Sequence, residues 1–216
     1  MSLELTAQAL IAAALGGVLG WTFLAGWSRR NILHAHVSPR ALKVGSAVTT
    51  AIAWGIVVLR MGAVPALPAV LAFTAAGTVL AVVDLAEKRL PNRVIALSFV
   101  VVALLLVVAS GFTGEWIPLV WALAGSAGMF AVYFVLALIS PSSMGMGDVK
   151  LALVIGLLLG WFGLNVWLVG LLAAFLLGGL VAIVALLLRR VTLRGSIPFG
   201  PSMLAGALIA LLVAGP

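Results

Sequence analysis

An aspartate follows two glycines and opens an apolar segment in the stretch Met144-Gly145-Met146-Gly147-Asp148-Val149-Lys150-Leu151. The chain of 216 residues has one other aspartate, Asp84, which lies at the end of an earlier apolar segment. Ionisable side chains at such positions are costly in a membrane and usually mark functional sites. The two aspartates are therefore the first candidates for chemistry.

The composition indicates a membrane protein. Hydrophobic residues make up 65% of the chain and charged residues 8%, whereas soluble domains are about 25% charged. Segments of ~20 apolar residues cross a bilayer as helices. We predict an all-α polytopic protein forming one transmembrane domain over 1–216, its core at about 64–215. The eight apolar segments are 5–27, 42–59, 64–85, 94–110, 117–139, 149–163, 165–188 and 201–215, the sixth and eighth being short.

The basic residues predict the orientation. A net charge of +7 would suggest nucleic-acid binding in a soluble protein. Here, all of the 12 lysines and arginines except Arg60 fall near alternate connections, including the short basic loop 28–40. Because cytoplasmic loops collect Lys and Arg, we expect both termini outside and both aspartates at the cytoplasmic face of the plasma (inner) membrane. The expected environment is lipid, with no nucleic-acid partner.

The aspartates suggest a catalytic pair. Two neighbouring carboxyl groups share a proton, so one acts as a general base on water and the other as a general acid. Each aspartate also has a structural interpretation. Asp84 could be a solvated residue at a helix end, and Asp148 could be an N-cap. The N-cap interpretation leaves Gly145 and Gly147 unexplained.

Other chemistries have less support in the sequence. His34 and His36 lie in a basic loop without carboxylates, and the chain has no cysteine, so we expect no metal and no cofactor. Ser142 and Ser143 could pair only with Lys150 among bases nearby in the sequence.

Three motifs together resemble the type IV prepilin peptidases. Gly145-Met146-Gly147-Asp148 resembles their Gly-x-Gly-Asp motif, and Asp84 followed by Leu90-Pro91-Asn92 resembles their first-aspartate motif. Ile197-Pro198-Phe199-Gly200-Pro201 resembles their Pro-Phe-Gly-Pro segment. The motifs occur in the family's order and spread over about two thirds of the chain.

The resemblance implies an intramembrane-type aspartyl protease. Such an enzyme removes the short basic leader of prepilin-like precursors after a glycine, at the cytoplasmic membrane face. Carried over by position, Asp84 and Asp148 are the catalytic pair. The shaping residues are Gly145, Gly147, Pro91, Asn92, Phe199, Gly200 and Pro201. Long bacterial members carry a cysteine-bearing domain between the first two helices; the loop 28–40 contains none, so we do not expect N-methylation.

Two charged residues have two interpretations each. Glu87 either contacts the basic leader or pairs with Lys88 or Arg89. Lys150 either contributes to substrate binding or anchors its helix at the cytoplasmic surface.

The alternative functions are a proton-coupled transporter and a non-catalytic pilus-assembly protein. A transporter predicts an internal repeat and ionisable residues spaced across the membrane. The two halves of the chain show no convincing repeat, and Glu115 and Arg60 are the ionisable residues expected near the outer face.

Overall fold

The described part of the chain is helical. The structure, a computed structural model, describes residues 3–140, 144–188 and 197–215; the predicted roles of Ser142, Ser143, Arg189, Arg190 and Arg194 lie outside them. The described residues form eight helices, one for each predicted segment, which confirms the all-α prediction. They are α1 (Leu3–Asn31), α2 (Pro39–Met61), α3 (Leu67–Glu87), α4 (Asn92–Thr113), α5 (Ile117–Ile139), α6 (Met146–Trp161), α7 (Leu164–Leu187) and α8 (Gly200–Ala214).

Six of these helices are long and apolar enough to cross a membrane, and the chain is a multi-pass membrane protein. The exceptions are α6 and α8, with 16 and 15 residues. At 1.5 Å per residue they are about 24 Å and 22 Å long, less than the ~30 Å hydrocarbon thickness. The prediction that the sixth and eighth segments are short is therefore confirmed.

Successive helices run in alternate directions, so alternate connections lie at the same end of the bundle. The C-terminal ends of α1 and α3 meet where Arg89 Nη2 donates to the carbonyl of Asn31 at 2.6 Å. Contacts described below bring the N-terminal ends of α4, α6 and α8 to the same end, which we call the aspartate end. At the opposite end, Arg60 Nε donates to the carbonyl of Leu212 at 2.7 Å.

The centre of the bundle is formed by α3 and α6. Helix α6 is almost completely surrounded by protein, with Leu151, Leu157, Leu158 and Leu159 fully buried. On α3, Leu80 and Val83 are buried at the level of the turn that precedes Asp84. The aspartates therefore lie on the two helices that the other elements enclose.

Small residues let neighbouring helices approach closely. A Cβ at Gly125 of α5 would lie 2.6 Å from the carbonyl oxygen of Gly156 in α6. A Cβ at Gly16 of α1 would lie 2.9 Å from the carbonyl oxygen of Thr50 in α2. The absence of side chains at these positions is a condition for the observed packing.

The first connection is shorter than the predicted loop 28–40. Helix α1 continues to Asn31, with Arg29 and Arg30 in its last turn, where cations are favourable to the helix dipole. Helix α2 begins at Pro39, and the hydroxyl of Ser38 accepts a hydrogen bond from the Ala41 N–H at 3.1 Å. The connection between the two helices is thus 32–38.

Replacing Gly125 by alanine should lower the thermal stability by several degrees, because overpacking against the backbone of α6 costs about 1–3 kcal/mol. The measurement is thermal unfolding of the purified protein in detergent. Gly179→Ala in α7 is the matched control, since a Cβ there meets nothing within 4 Å. Equal melting temperatures for the two variants would contradict the close approach of α5 and α6.

Candidate active site

Asp84 lies in the last turn of α3 and is 4% exposed. Its Oδ2 accepts a hydrogen bond of 3.0 Å from the backbone N–H of Gly200. Gly200 is the first residue of α8, where backbone N–H groups have no partner within the helix. The end of α3 is thereby joined to the beginning of α8, and the buried carboxyl faces the positive end of a helix dipole.

Leu90 packs between two glycines at this end. A Cβ at Gly200 would lie 2.7 Å from Asp84 Oδ2 and 3.2 Å from Leu90 Cδ2. A Cβ at Gly147 would lie 3.0 Å from Leu90 Cβ. The same leucine therefore touches the first residue of α8 and the first turn of α6, which brings Asp148 toward Asp84.

Asp148 lies in the first turn of α6, and its Oδ2 accepts a hydrogen bond of 3.2 Å from the Gly145 N–H. The N-cap of α6 is Gly145 rather than Asp148. The aspartate takes the third helical position, from which its side chain reaches back to the N-cap amide. The N-cap interpretation is therefore wrong by three positions, although the carboxyl does stabilise the start of the helix.

The two carboxyl groups interact electrostatically. Asp148 lies outside the six candidate spans. Burial raises the pKa of Asp148 to about 6, with the charge of Asp84 as a second contribution and the Gly145 hydrogen bond as an opposing one. The structure thus brings together two aspartates that are far apart in the sequence.

The residues around the first-aspartate motif support this arrangement. Pro91 is buried and is the N-cap of α4, which begins at Asn92. Lys150 Nζ donates to Asn92 Oδ1 at 3.0 Å, so the beginnings of α4 and α6 are connected. Lys150 therefore makes a specific contact within the chain.

The Pro-Phe-Gly-Pro segment is anchored by aromatic packing. Phe199 is the N-cap of α8, and Pro201 lies in its first turn. The ring of Phe199 lies 5.6 Å from that of Phe175 and 6.3 Å from that of Tyr133. These contacts hold the beginning of α8 in the position from which Gly200 reaches Asp84.

Glu87 forms the ion pair that one of its two interpretations predicted. Its Oε2 lies 2.5 Å from Arg89 Nε, and its Oε1 accepts hydrogen bonds from backbone N–H groups of the connection 32–38. In this conformation both carboxylate oxygens are occupied by the chain itself. Contact with a leader peptide stays a prediction.

Two residues of the site were missed by sequence reasoning. Leu90 belongs to the quoted Leu-Pro-Asn motif but was given no role, since its contact with both glycines depends on packing. Tyr133 is the single tyrosine of the chain and is 1% exposed. A lone tyrosine inside an apolar segment was a signal that could have identified it.

The described residues do not gather three or more His, Asp or Glu side chains into a metal-binding group. The groups closest to this chemistry are the carboxyl groups of Asp84 and Asp148 and the N-terminal ends of α6 and α8.

The sequence of this chain matches a known protein family. The model of the type IV leader peptidase family matches residues 70–184, a range that includes both aspartates. The chain belongs to the type IV leader peptidase family. The match ends before Phe199, so it does not include the Pro-Phe-Gly-Pro segment.

Similar curated proteins agree with this assignment. A prepilin leader peptidase/N-methyltransferase of Aeromonas hydrophila is 30% identical over 205 residues, covering 90% of this chain and 65% of the relative. Proteins of the same name from Pseudomonas putida and Bacillus subtilis are 30% and 33% identical, each over 62% of this chain and over 45% and 51% of their own lengths. The chain thus spans between about half and two thirds of these relatives. No solved structure gives a significant match.

Asp84→Asn should lower the pKa of Asp148 from about 6 without bringing it to the ordinary value of an aspartate, because the charge of Asp84 is lost while burial remains. Below the pKa the carboxyl is protonated, so the substitution extends the ionised form to lower pH. Infrared titration of the carboxyl C=O band measures this, and Asp148→Asn identifies the band. An unchanged midpoint in the Asp84→Asn protein would show that the two groups do not interact.

Proposed function

We propose that this family member is an aspartyl endopeptidase that removes the short basic leader of prepilin-like precursors, cutting after a glycine. Asp84 and Asp148 are the catalytic residues of this proposal. The observation that carries it is the meeting of the two aspartates at one end of the bundle, in a chain of the type IV leader peptidase family. The relatives' names include an N-methyltransferase, but the proposal is confined to peptidase activity, because the connection 32–38 contains no cysteine.

The proposed mechanism uses one proton shared between the two carboxyl groups. The ionised carboxylate takes a proton from water, which attacks the carbonyl carbon of the glycine before the cut. The protonated carboxyl donates its proton to the carbonyl oxygen, giving a tetrahedral diol. Its collapse breaks the C–N bond: the proton held by the first carboxylate goes to the leaving amine, and one hydroxyl of the diol returns its proton to the second carboxylate as the new C=O forms. The backbone N–H groups of Gly145 and Gly200 orient the two carboxyl groups through their Oδ2 atoms.

The proposed orientation places the aspartate end at the cytoplasmic face of the plasma membrane. The positive-inside rule supports this, since Arg89 and Lys150 make their contacts at the aspartate end and Arg60 makes its contact at the other end. A precursor with a basic leader in the cytoplasm and an apolar helix in the bilayer then presents its cleavage site at the level of Asp84 and Asp148.

We assign the apolar helix of such a precursor to an apolar groove beside Asp84. Its volume is about 360 Å³ and its lining is mostly apolar. It runs along α3 as far as Leu85, the residue after Asp84, and reaches Pro201, the residue after Gly200. Lining residues with small side chains are Ala53 of α2, Gly77 and Ala81 of α3, and Ala205 of α8. Small residues of this kind allow another helix to approach closely.

Asp84→Asn and Asp148→Asn should each reduce cleavage of a pilin-like precursor by about a hundredfold to ten-thousandfold, the usual contribution of general acid–base catalysis. The measurement is co-expression with a precursor from the same genome, followed by gel analysis and N-terminal sequencing. Glu115→Gln, at an exposed acid, is the matched control and should cleave normally. Cleavage by Asp148→Asn would remove this residue from the mechanism. No cleavage by the wild-type protein, once inserted and tested with several precursors, would favour a non-enzymatic role.

Ala205→Phe should reduce kcat/KM about tenfold, mainly through KM, because the added ring occupies the groove and excludes the precursor helix. Ala131→Phe is the matched control, since Ala131 is an exposed alanine of α5 outside the groove. Equal kinetics for the two variants would show that the precursor helix binds elsewhere.

A further inference from the structure

The carboxylate of Glu87 binds the backbone of the first connection. Its Oε1 accepts hydrogen bonds from the N–H groups of Leu33, of His34 at 2.5 Å and of Ala35 at 3.3 Å. The Glu87 side chain is 4% exposed. Three successive amides directed at one carboxylate oxygen hold this part of the chain in one conformation.

Arg89 connects the Glu87 carboxylate to the end of α1. Its Nε donates to Oε2 of Glu87 at 2.5 Å, and its Nη2 donates to the carbonyl oxygen of Asn31 at 2.6 Å. Asn31 is the last residue of α1, where carbonyl groups have no partner within the helix. We call Glu87, Arg89 and the backbone 31–35 the Glu87 clasp.

The clasp is adjacent to the aspartate pair. Glu87 is three residues after Asp84 on α3, and Leu90, which touches both Gly147 and Gly200, follows Arg89 directly. The first connection is therefore attached to the short segment between Asp84 and the beginning of α4.

We propose that Glu87 is a positioning residue for the peptidase reaction, holding the connection 32–35 at the end of α3, one helical turn beyond Asp84, before the precursor arrives. This inference rests on the proposed function. A lysine or arginine of a leader would have to displace Arg89 and three backbone amides to reach the Glu87 carboxylate. Pre-ordering the connection instead removes an entropy cost from precursor binding, so the clasp acts on KM.

The test measures amide hydrogen exchange and the kinetics of precursor cleavage on the full chain in nanodiscs. Glu87→Ala should speed amide hydrogen exchange at 33–35 at least about tenfold, raise KM about fivefold and leave kcat within about twofold. Glu87→Gln keeps an acceptor oxygen for the amides and should recover most of both effects. Glu115→Ala is the matched control and should change neither.

Precursors with different leader charge distinguish a positioning role of Glu87 from direct contact between Glu87 and the leader. The increase in KM caused by Glu87→Ala should be the same for a precursor with a basic leader and for one whose leader lysines and arginines are changed to glutamine. An increase confined to the basic leader would overturn the inference in favour of direct contact, as would unchanged exchange at 33–35. A fall in kcat at constant KM would show that Glu87 acts on the aspartates instead.

If the protein is not a peptidase, the experiment gives a result that differs from a failure of the Glu87 inference. If the wild-type protein cleaves no precursor, the peptidase proposal falls and the kinetic role of Glu87 falls with it. The exchange measurement alone would then report whether the clasp orders the connection.

Discussion

The hydrogen bond from the Gly200 N–H to Asp84 Oδ2 is the contact on which the site depends. It satisfies a carboxyl that the bundle has buried, and a buried polar group without a partner is costly. It also satisfies an amide at the start of α8 that has no partner within its helix. Because Gly200 has no side chain, the backbone can approach the carboxyl; a Cβ would lie 2.7 Å from the oxygen.

The two short helices, α6 and α8, surround this contact. Helices α6 and α8 both begin at the aspartate end, so the positive ends of two helix dipoles face the two carboxyl groups. Leu90 fills the space between the N-terminal ends of the two helices and contacts both Gly147 and Gly200. The glycine of each motif thus meets the same leucine from the motif of the first aspartate.

The three motifs of this sequence acquire a joint physical meaning in this arrangement. Pro91 ends one connection and Asn92 begins α4, where Lys150 of the second motif finds its partner. Phe199 packs on Tyr133 and Phe175, and this packing holds Gly200 in place. Each motif supplies one side of the site. The Glu87 clasp adds the first connection, which none of the three motifs includes.

The sequence by itself determined the eight helices, the shortness of α6 and α8, and the placement of both aspartates at helix ends on one side of the bundle. These properties follow from hydropathy and charge, which act locally along the chain. Only the tertiary structure decided that Gly200 binds Asp84, that Asp148 occupies the third position of α6, and that Glu87 holds the connection to α1. Such contacts join segments far apart in the sequence, and they depend on how the helices pack rather than on the composition of any one of them.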